Sequence, residues 1–554
     1  MPVLFKTHVM RTLAVVVFLL VNVAGMSPIS VADETDSNGY FGIHVVDNET
    51  QRGVPMVSLT TVDDVTYITD NAGWVALHEP ELTGKAVFFK VHSPGYEVAK
   101  DGFGMAGVRL TIEPGKTSNV TIKRKNVAER IYRITGRDLY LDSVRLHQPS
   151  PKRNPLGSGM VVGQDSIQPI QIGDEMHWFW GDTNRLSYPL GMFRTAGAVS
   201  KLPAHGGLDP SLGINFEYFT NPDGFARAMI EVPDKEGVVW IHGVCTVTDA
   251  KEQSQVITQY SRRKGLEAPL EQGMALWNYE RKMFEVLDVI DLKESWRIVR
   301  DHPIHQTMDG IDYLYFGNPF PISRVSATLD AVRDRSAYES FTCREELPDA
   351  NPTPQQLHNA KPLRDAAGQL IWRWAKAPPV TQQDERRWVK SGQMKIEEAR
   401  FLPRDADSKD RIVEVHAGTI HFNTFRNRWV MIANEQAWDK SSLSFLGEVF
   451  YSESDSPQGP FVRAVRIATH PGQSFYNPCH HPFFDQQDGR RIYFEGTYCN
   501  TFTESPATPR YNYNQMMYRL DLSASRITNI FGEAAKQVTE HAGKSCCCGF
   551  GSER

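Results

Sequence analysis

From Gly163 to Asn184 the chain reads GQDSIQPIQIGDEMHWFWGDTN. A short strand with Ile167, Ile170 and Ile172 set among polar residues gives way to a polar turn, Gly173-Asp174-Glu175, and then to the aromatic run His177 to Trp180. Two such runs about a Gly-Asp turn predict a β-hairpin. The same plan returns four more times, in GFARAMIEVPDKEGVVWIHGVCTV, HPIHQTMDGIDYLYFGNPF, AGTIHFNTFRNRWVMIANEQ and HHPFFDQQDGRRIYFEGTYCN. A hairpin of this kind cannot bury its apolar face alone, so the copies must pack against one another. Five copies over residues 156–528 predict an all-β, five-bladed β-propeller in which each hairpin supplies the two inner strands of a blade.

The flanks read differently. Residues 38–125 alternate with period two between Asn-Ala-Gly, Pro-Gly and Glu-Pro-Gly turns, which predicts a small β-sandwich before the propeller. Residues 126–155 read as a connector that ends in extended chain at Pro149, Pro151 and Pro155. The stretch 345–400 reads as an irregular surface insertion with a helical patch in QDERRWVKSGQMKIEEARF, and 529–554 as a tail.

Composition sets the compartment and narrows the partners. Lys6 and Arg11 precede an apolar run from Leu13 to Ala24, and Ser30-Val31-Ala32 offers a cleavage site, so residues 1–32 read as a secretory signal peptide and the mature protein as secreted or periplasmic. The run is too short for a membrane span. A net charge of −6 over 554 residues, with no basic run, excludes a nucleic-acid footprint. Of seven cysteines, Cys479 and Cys499 lie symmetrically about Gly489 in the last hairpin, so they read either as a cross-strand disulfide or as two buried thiols. Cys546, Cys547 and Cys548 lack the spacing of a zinc site.

In a propeller the innermost strands converge, so residues that open them become neighbours. Asp165 opens the first repeat and Asp223 precedes the second. The third offers His302 and His305, the fourth Glu414 and His416, the fifth His480 and His481. Asp165, Asp223 and Glu414 are therefore the candidate catalytic carboxylates, because carboxyls buried together in one funnel repel and raise at least one pKa, as general acid chemistry needs. Asp182 and Glu495 follow the aromatic strands in WGDT and FEGT. With Arg185, Tyr188, Arg227, His416 and His481 they form the candidate substrate contacts. His305, His416 and His481 would be the set to hold an axial cation through water, although imidazole suits transition metals better than calcium.

Two resemblances follow from these residues. VVDNETQRGVPMVSL, TDNAGWVAL, SPGY, LTIEPG and VTIKR resemble the transthyretin-like sandwich called the carboxypeptidase-regulatory-like domain, which implies an accessory module without catalytic residues. The five-hairpin wheel with Asp165 at its opening, WFWGDT after it and SESDSPQGPF late in the chain resembles the five-bladed propeller glycosidases, the arabinanases and xylosidases. That resemblance implies a carbohydrate substrate, Asp165 as base, Asp223 tuning the acid, and Glu414 as acid from the fourth blade with Glu495 in reserve. The alternatives are a carbohydrate-binding propeller without turnover and a polysaccharide lyase working through His and Tyr.

Overall fold

The computed structural model describes residues 39–187, 194–232, 235–347, 352–408, 411–438 and 443–534, all within one compact unit, Ser37–Arg554. The fold is all-β with a few short helices. Near the N-terminus two four-stranded sheets face each other. Phe41–Asp47 pairs with Trp74–Leu77 on one side and Thr117–Arg124 on the other, while Ala86–His92 lies between Ser58–Thr60 and Gly107–Thr111. Their alternating residues Ile43, Val45, Leu59, Phe89, Val91 and Ile122 fill one core.

Five further sheets of four or five strands follow in sequence, besides the two-stranded pairing of Val161–Gln164 with Thr183–Arg185. The first is built on Gln168–Ile172 and Glu175–Phe179, the second on Val238–Thr248 and Ser254–Arg263, the third on Ile304–Met308 and Ile311–Phe316. The fourth is built on Val415–Asn423 and Arg428–Glu435, the fifth on Ser474–His480 and Arg491–Cys499. The third hairpin turns on Asp309-Gly310, both with positive φ, as a two-residue turn between right-twisted strands demands. Each sheet shares an apolar core with the next. Phe179 meets Trp277 and Phe284 between the first and second sheets, Val247 and Ile257 meet Leu314 between the second and third. Phe320 and Cys343 meet Ile420 and Met431 between the third and fourth, and Val430 and Tyr451 meet Phe475 and Phe494 between the fourth and fifth. Trp178 of the first sheet then packs with Tyr132, Tyr493 and Met517 of the fifth.

Two expectations fail in instructive ways, and of the two readings of Cys479 and Cys499 the buried thiols hold. The segment 126–155 is more than a connector: Glu129–Arg133 is the outer strand of the fifth sheet, paired with Asn514–Asp521, and Leu141–Arg145 is a short helix. The second repeat does not start a hairpin at Phe225. Residues 225–232 make only bridges, because Met229 bonds to Thr195 on one side and receives Phe284 on the other, lacing two sheets together. Cys479 faces Glu495, Cys499 faces Ser474, and both thiols are free and buried. The helical turn Pro482–Phe484 takes up residues on the incoming side of that hairpin and shifts its register away from symmetry about Gly489.

In the insertion, the helix Gln382–Lys390 begins with a capping box. Thr381 Oγ1 accepts from Asp384 N at 3.3 Å, and Asp384 Oδ2 accepts from Thr381 N at 2.9 Å while pairing with buried Arg344. Thr381→Ala should cost about 1 kcal/mol in denaturant unfolding, as loss of an N-cap oxygen does. Among the described residues no helix is long and apolar enough to cross a membrane. Residues 1–32, read from the sequence as a signal peptide, Tyr188 and Cys546 to Cys548 lie outside the described residues.

Candidate functional site

The strand Val161–Gln164 pairs with Thr183–Arg185, and the pairing runs on past its end to bring two aspartates together. Asp165 N donates to Asp182 O at 3.2 Å, Gly181 N donates to Asp165 O at 2.8 Å, and Asp182 N donates to the Asp165 carboxylate at 2.8 Å. The approach is so close that a Cβ on Gly181 would stand 2.4 Å from Asp165 Oδ1, which leaves glycine as the residue that fits.

Other sheets supply the partners of these carboxyls. Trp240, on the first strand of the second sheet, donates Nε1–H to Asp182 Oδ1 at 2.6 Å. Tyr476 donates to Asp165 Oδ2 at 2.9 Å, from a strand whose pairing slips between Tyr476 and Cys479. The slip passes through Asn477, at φ 50°, whose amide holds Ser166 Oγ at 2.8 Å. Tyr513 donates to Asp182 Oδ2 at 3.4 Å and also reaches Asp165, so one phenol serves both aspartates. Around them opens a cavity of ≈ 560 Å³, whose lining includes Trp240, His416, Gln436, Phe445, Tyr476 and Phe502.

Burial decides the electrostatics. It pushes the Asp182 carboxyl up to about 7, with the neighbouring Asp165 charge adding to the rise and the Trp240 and Tyr513 donors opposing it. Burial raises Asp165 too, against hydrogen bonds from Tyr476, Tyr513 and the Asp182 backbone that favour its ionised form. Two carboxyls that share a donor in a desolvated site do not both ionise easily, so the pair holds one proton over a range of acidic to neutral pH. The Tyr513 phenol is pushed far up by burial and then by the two carboxylates, and stays a donor. His416 is lowered by burial to a neutral imidazole, and its Nδ1 has no partner among the described residues.

The three carboxylates expected at one funnel are not brought together. Asp223 sits in an exposed turn, where Phe225 N donates to Oδ1 at 3.0 Å and Arg185 to Oδ2 at 2.7 Å. These contacts, the Phe225 amide foremost, hold its carboxyl below the usual range. Asn-Pro-Asp-Gly is here a turn and not the entrance to an innermost strand, because the residues after it lace two sheets. Glu414 lines the neighbouring cavity, paired with Arg386 at 3.0 Å. Arg227 donates to the carbonyls of Arg281 and Lys282 at 2.9 Å each and sits over Phe219, so it ties strands together.

The histidines likewise part company. His305 is exposed and bonds Asp312 at 2.8 Å, while His416 lines the aspartate cavity. His481 is fully buried against Trp178 and lies 3.4 Å from Glu495, which is equally buried. His302 approaches Cys479 Sγ at 3.8 Å, and His480 bonds Asp485 at 2.8 Å. Among the described residues, no three or more His, Cys, Asp or Glu side chains are placed to hold a metal ion. Sequence reasoning missed Trp240, Gln436, Tyr476 and Tyr513. The cluster RYNYN around Tyr513 was visible, but nothing local marks which of its tyrosines turns to the cavity.

No family model matches the chain, and none of the curated proteins does. Among solved structures, a GH43_1 enzyme from Xanthomonas citri complexed with xylotriose is similar at 12% identity and a TM-score of 0.32, over 66% of this chain and 87% of that one. An α-L-arabinofuranosidase from Fusarium graminearum with an iminosugar inhibitor is similar at 10% identity and a TM-score of 0.32, over 71% and 98%. An exo-β-1,3-galactanase from Phanerochaete chrysosporium with galactose is similar at 9% and 0.28, over 66% and 64%. At such identities and scores the site stands on the chain's own geometry.

Proposed function

We propose that the chain is a secreted glycoside hydrolase whose five successive sheets are the blades of a propeller and whose N-terminal sheet pair is a carboxypeptidase-regulatory-like accessory module. The carrying observation is the Asp165–Asp182 pair, joined through Tyr513 and opening on an aromatic cavity. Glycosidic bonds are cleaved by two carboxyls, one ionised and one protonated, and this pair is divided in that sense. Asp165, whose carboxylate accepts from Tyr476 and the Asp182 amide, is assigned as base or nucleophile. Asp182, held near neutral pKa, protonates the leaving oxygen. Trp240, Phe445 and Phe502 offer apolar faces on which sugar rings stack.

The test is incubation of the mature protein with plant, algal and bacterial glycans, followed by product analysis. New reducing ends support the reading. Unsaturated products absorbing in the near ultraviolet would instead mark a lyase. A second reading, carbohydrate binding without turnover, is favoured by one feature: the described residues lining the cavity opposite the aspartates, His416, Gln436 and Phe445, bring no third carboxylate. Binding by calorimetry with no product from any glycan would establish it.

A further inference from the structure

A second cavity, of ≈ 410 Å³, adjoins the first. The two share Gln436, and the start of one strand serves both, Glu414 lining the second and His416 the first. Phe445 of the aspartate cavity meets Trp438 of the second edge-on at 5.1 Å, and Trp438 is 67% exposed. A glycan with one unit against Asp165 and Asp182 would therefore pass across an aromatic step into the second cavity with its next unit.

That cavity is charged, and its charges are layered. The carboxylates of Asp405, Glu435 and Glu448 form the floor, at 9%, 4% and 4% exposure. Above them lean Arg386, Arg411 and Arg466, each between 35% and 39% exposed. Arg411 is spent on Asp405, at 2.8 Å, and on Glu435. Glu448 accepts from Arg466 at 3.2 Å and from Thr469 at 2.7 Å. Glu414, less buried, accepts from Arg386 at 3.0 Å. Arg386 and Arg466 thus meet these acids through one N–H edge, and Arg386 Nε has no partner among the described residues. Among the described residues that line it, four acids outnumber three arginines by one. Position works against that balance, since Asp405, Glu435 and Glu448 are buried and already bonded while the three arginine side chains are more exposed than any of the four acids. A guanidinium pinned from behind keeps a preorganised donor fork, the geometry that recognises carboxylate or sulfate oxygens.

We propose that this cavity is a subsite for an anionic sugar unit, one carrying a carboxylate or a sulfate ester, next to the unit held at Asp165 and Asp182. The inference rests on the reading of the aspartate cavity as a glycan site.

The experiment uses calorimetric titration of the Asp165→Asn protein, which binds without consuming its ligand, with oligosaccharides of equal length that are neutral, uronate-bearing or sulfated. Either anionic set should bind more tightly than the neutral one, with an advantage that shrinks as salt is added. Which of the two gains identifies the anion. Arg386→Gln should lower the anionic-to-neutral affinity ratio about tenfold, the equivalent of about 1.4 kcal/mol. Glu414 is partly solvated, so this variant leaves no fully buried charge unpaired, and thermal unfolding checks its fold. Arg466→Gln is the second variant. Equal affinities for all three sets, or a ratio unmoved by both folded variants, would overturn the proposal. If no oligosaccharide binds, the neutral ones included, the glycan reading of the aspartate cavity fails first and this subsite falls with it.

Discussion

Asp165→Asn is expected to remove nearly all turnover of whichever glycan proves to be the substrate, a loss of about 10²–10⁴-fold, typical of an essential acid or base. The fold should survive, because asparagine keeps an oxygen to accept the Asp182 amide and an amide to meet Tyr476. The same change carries an electrostatic signature. The Asp165 charge is one of the causes that raise Asp182, so its removal should lower the Asp182 pKa and move the alkaline limb of any residual rate to lower pH. A merely structural aspartate would not shift that limb. Wild-type turnover in a well-folded Asp165→Asn protein would mean that the site is misplaced.

Asp182→Asn should be nearly as damaging, but selectively. As the proton donor, Asp182 matters when the leaving alcohol is poor, so natural glycans should lose about 10²–10⁴-fold while glycosides with acidic aryl leaving groups are largely spared. In the wild-type enzyme the rate should fall as pH rises through about 7, where the donor loses its proton, and the variant should lack that limb. Stability follows the same titration. The folded pKa is raised above the unfolded value, so the proton's contribution is fully present below the ordinary aspartate pKa and is lost as pH rises through about 7. Thermal unfolding at pH 5 and pH 8 should therefore show Asp182→Asn gaining on the wild type at the higher pH. A flat wild-type pH profile between 5 and 9 would assign the proton to another group.

The hairpins were legible because their information is local. Asp309-Gly310 states its turn, and Trp178 states its burial, in a few neighbouring residues. Asp165 was legible for a related reason: a carboxylate entering an apolar strand has no turn to serve. What stayed hidden depends on register and long-range pairing. Asp223 and Asp165 look alike in sequence, yet one bonds its own turn and the other, half-buried, bonds Tyr476 of the fifth sheet and the Asp182 amide. Asp182 read as a substrate contact, and its place in a carboxyl pair emerges only with Trp240 and Tyr513 beside it. Glu129–Arg133 carries a strand's pattern within a stretch of mixed composition, and its partner lies at the other end of the chain.

That last pairing sets an order of events during biogenesis. Glu129 meets Arg519 across 390 positions of sequence, so a chain synthesised N-terminus first exposes the early strand long before its mate arrives. The two four-stranded sheets at the front can pair at once, since the strand pairings that build them all fall within residues 41–124. The strand just behind them must stay unpaired until nearly the whole protein has emerged. Its slow, non-local closure is the step at which translation halted early, or a shortened C-terminus, leaves a bare strand edge open to aggregation.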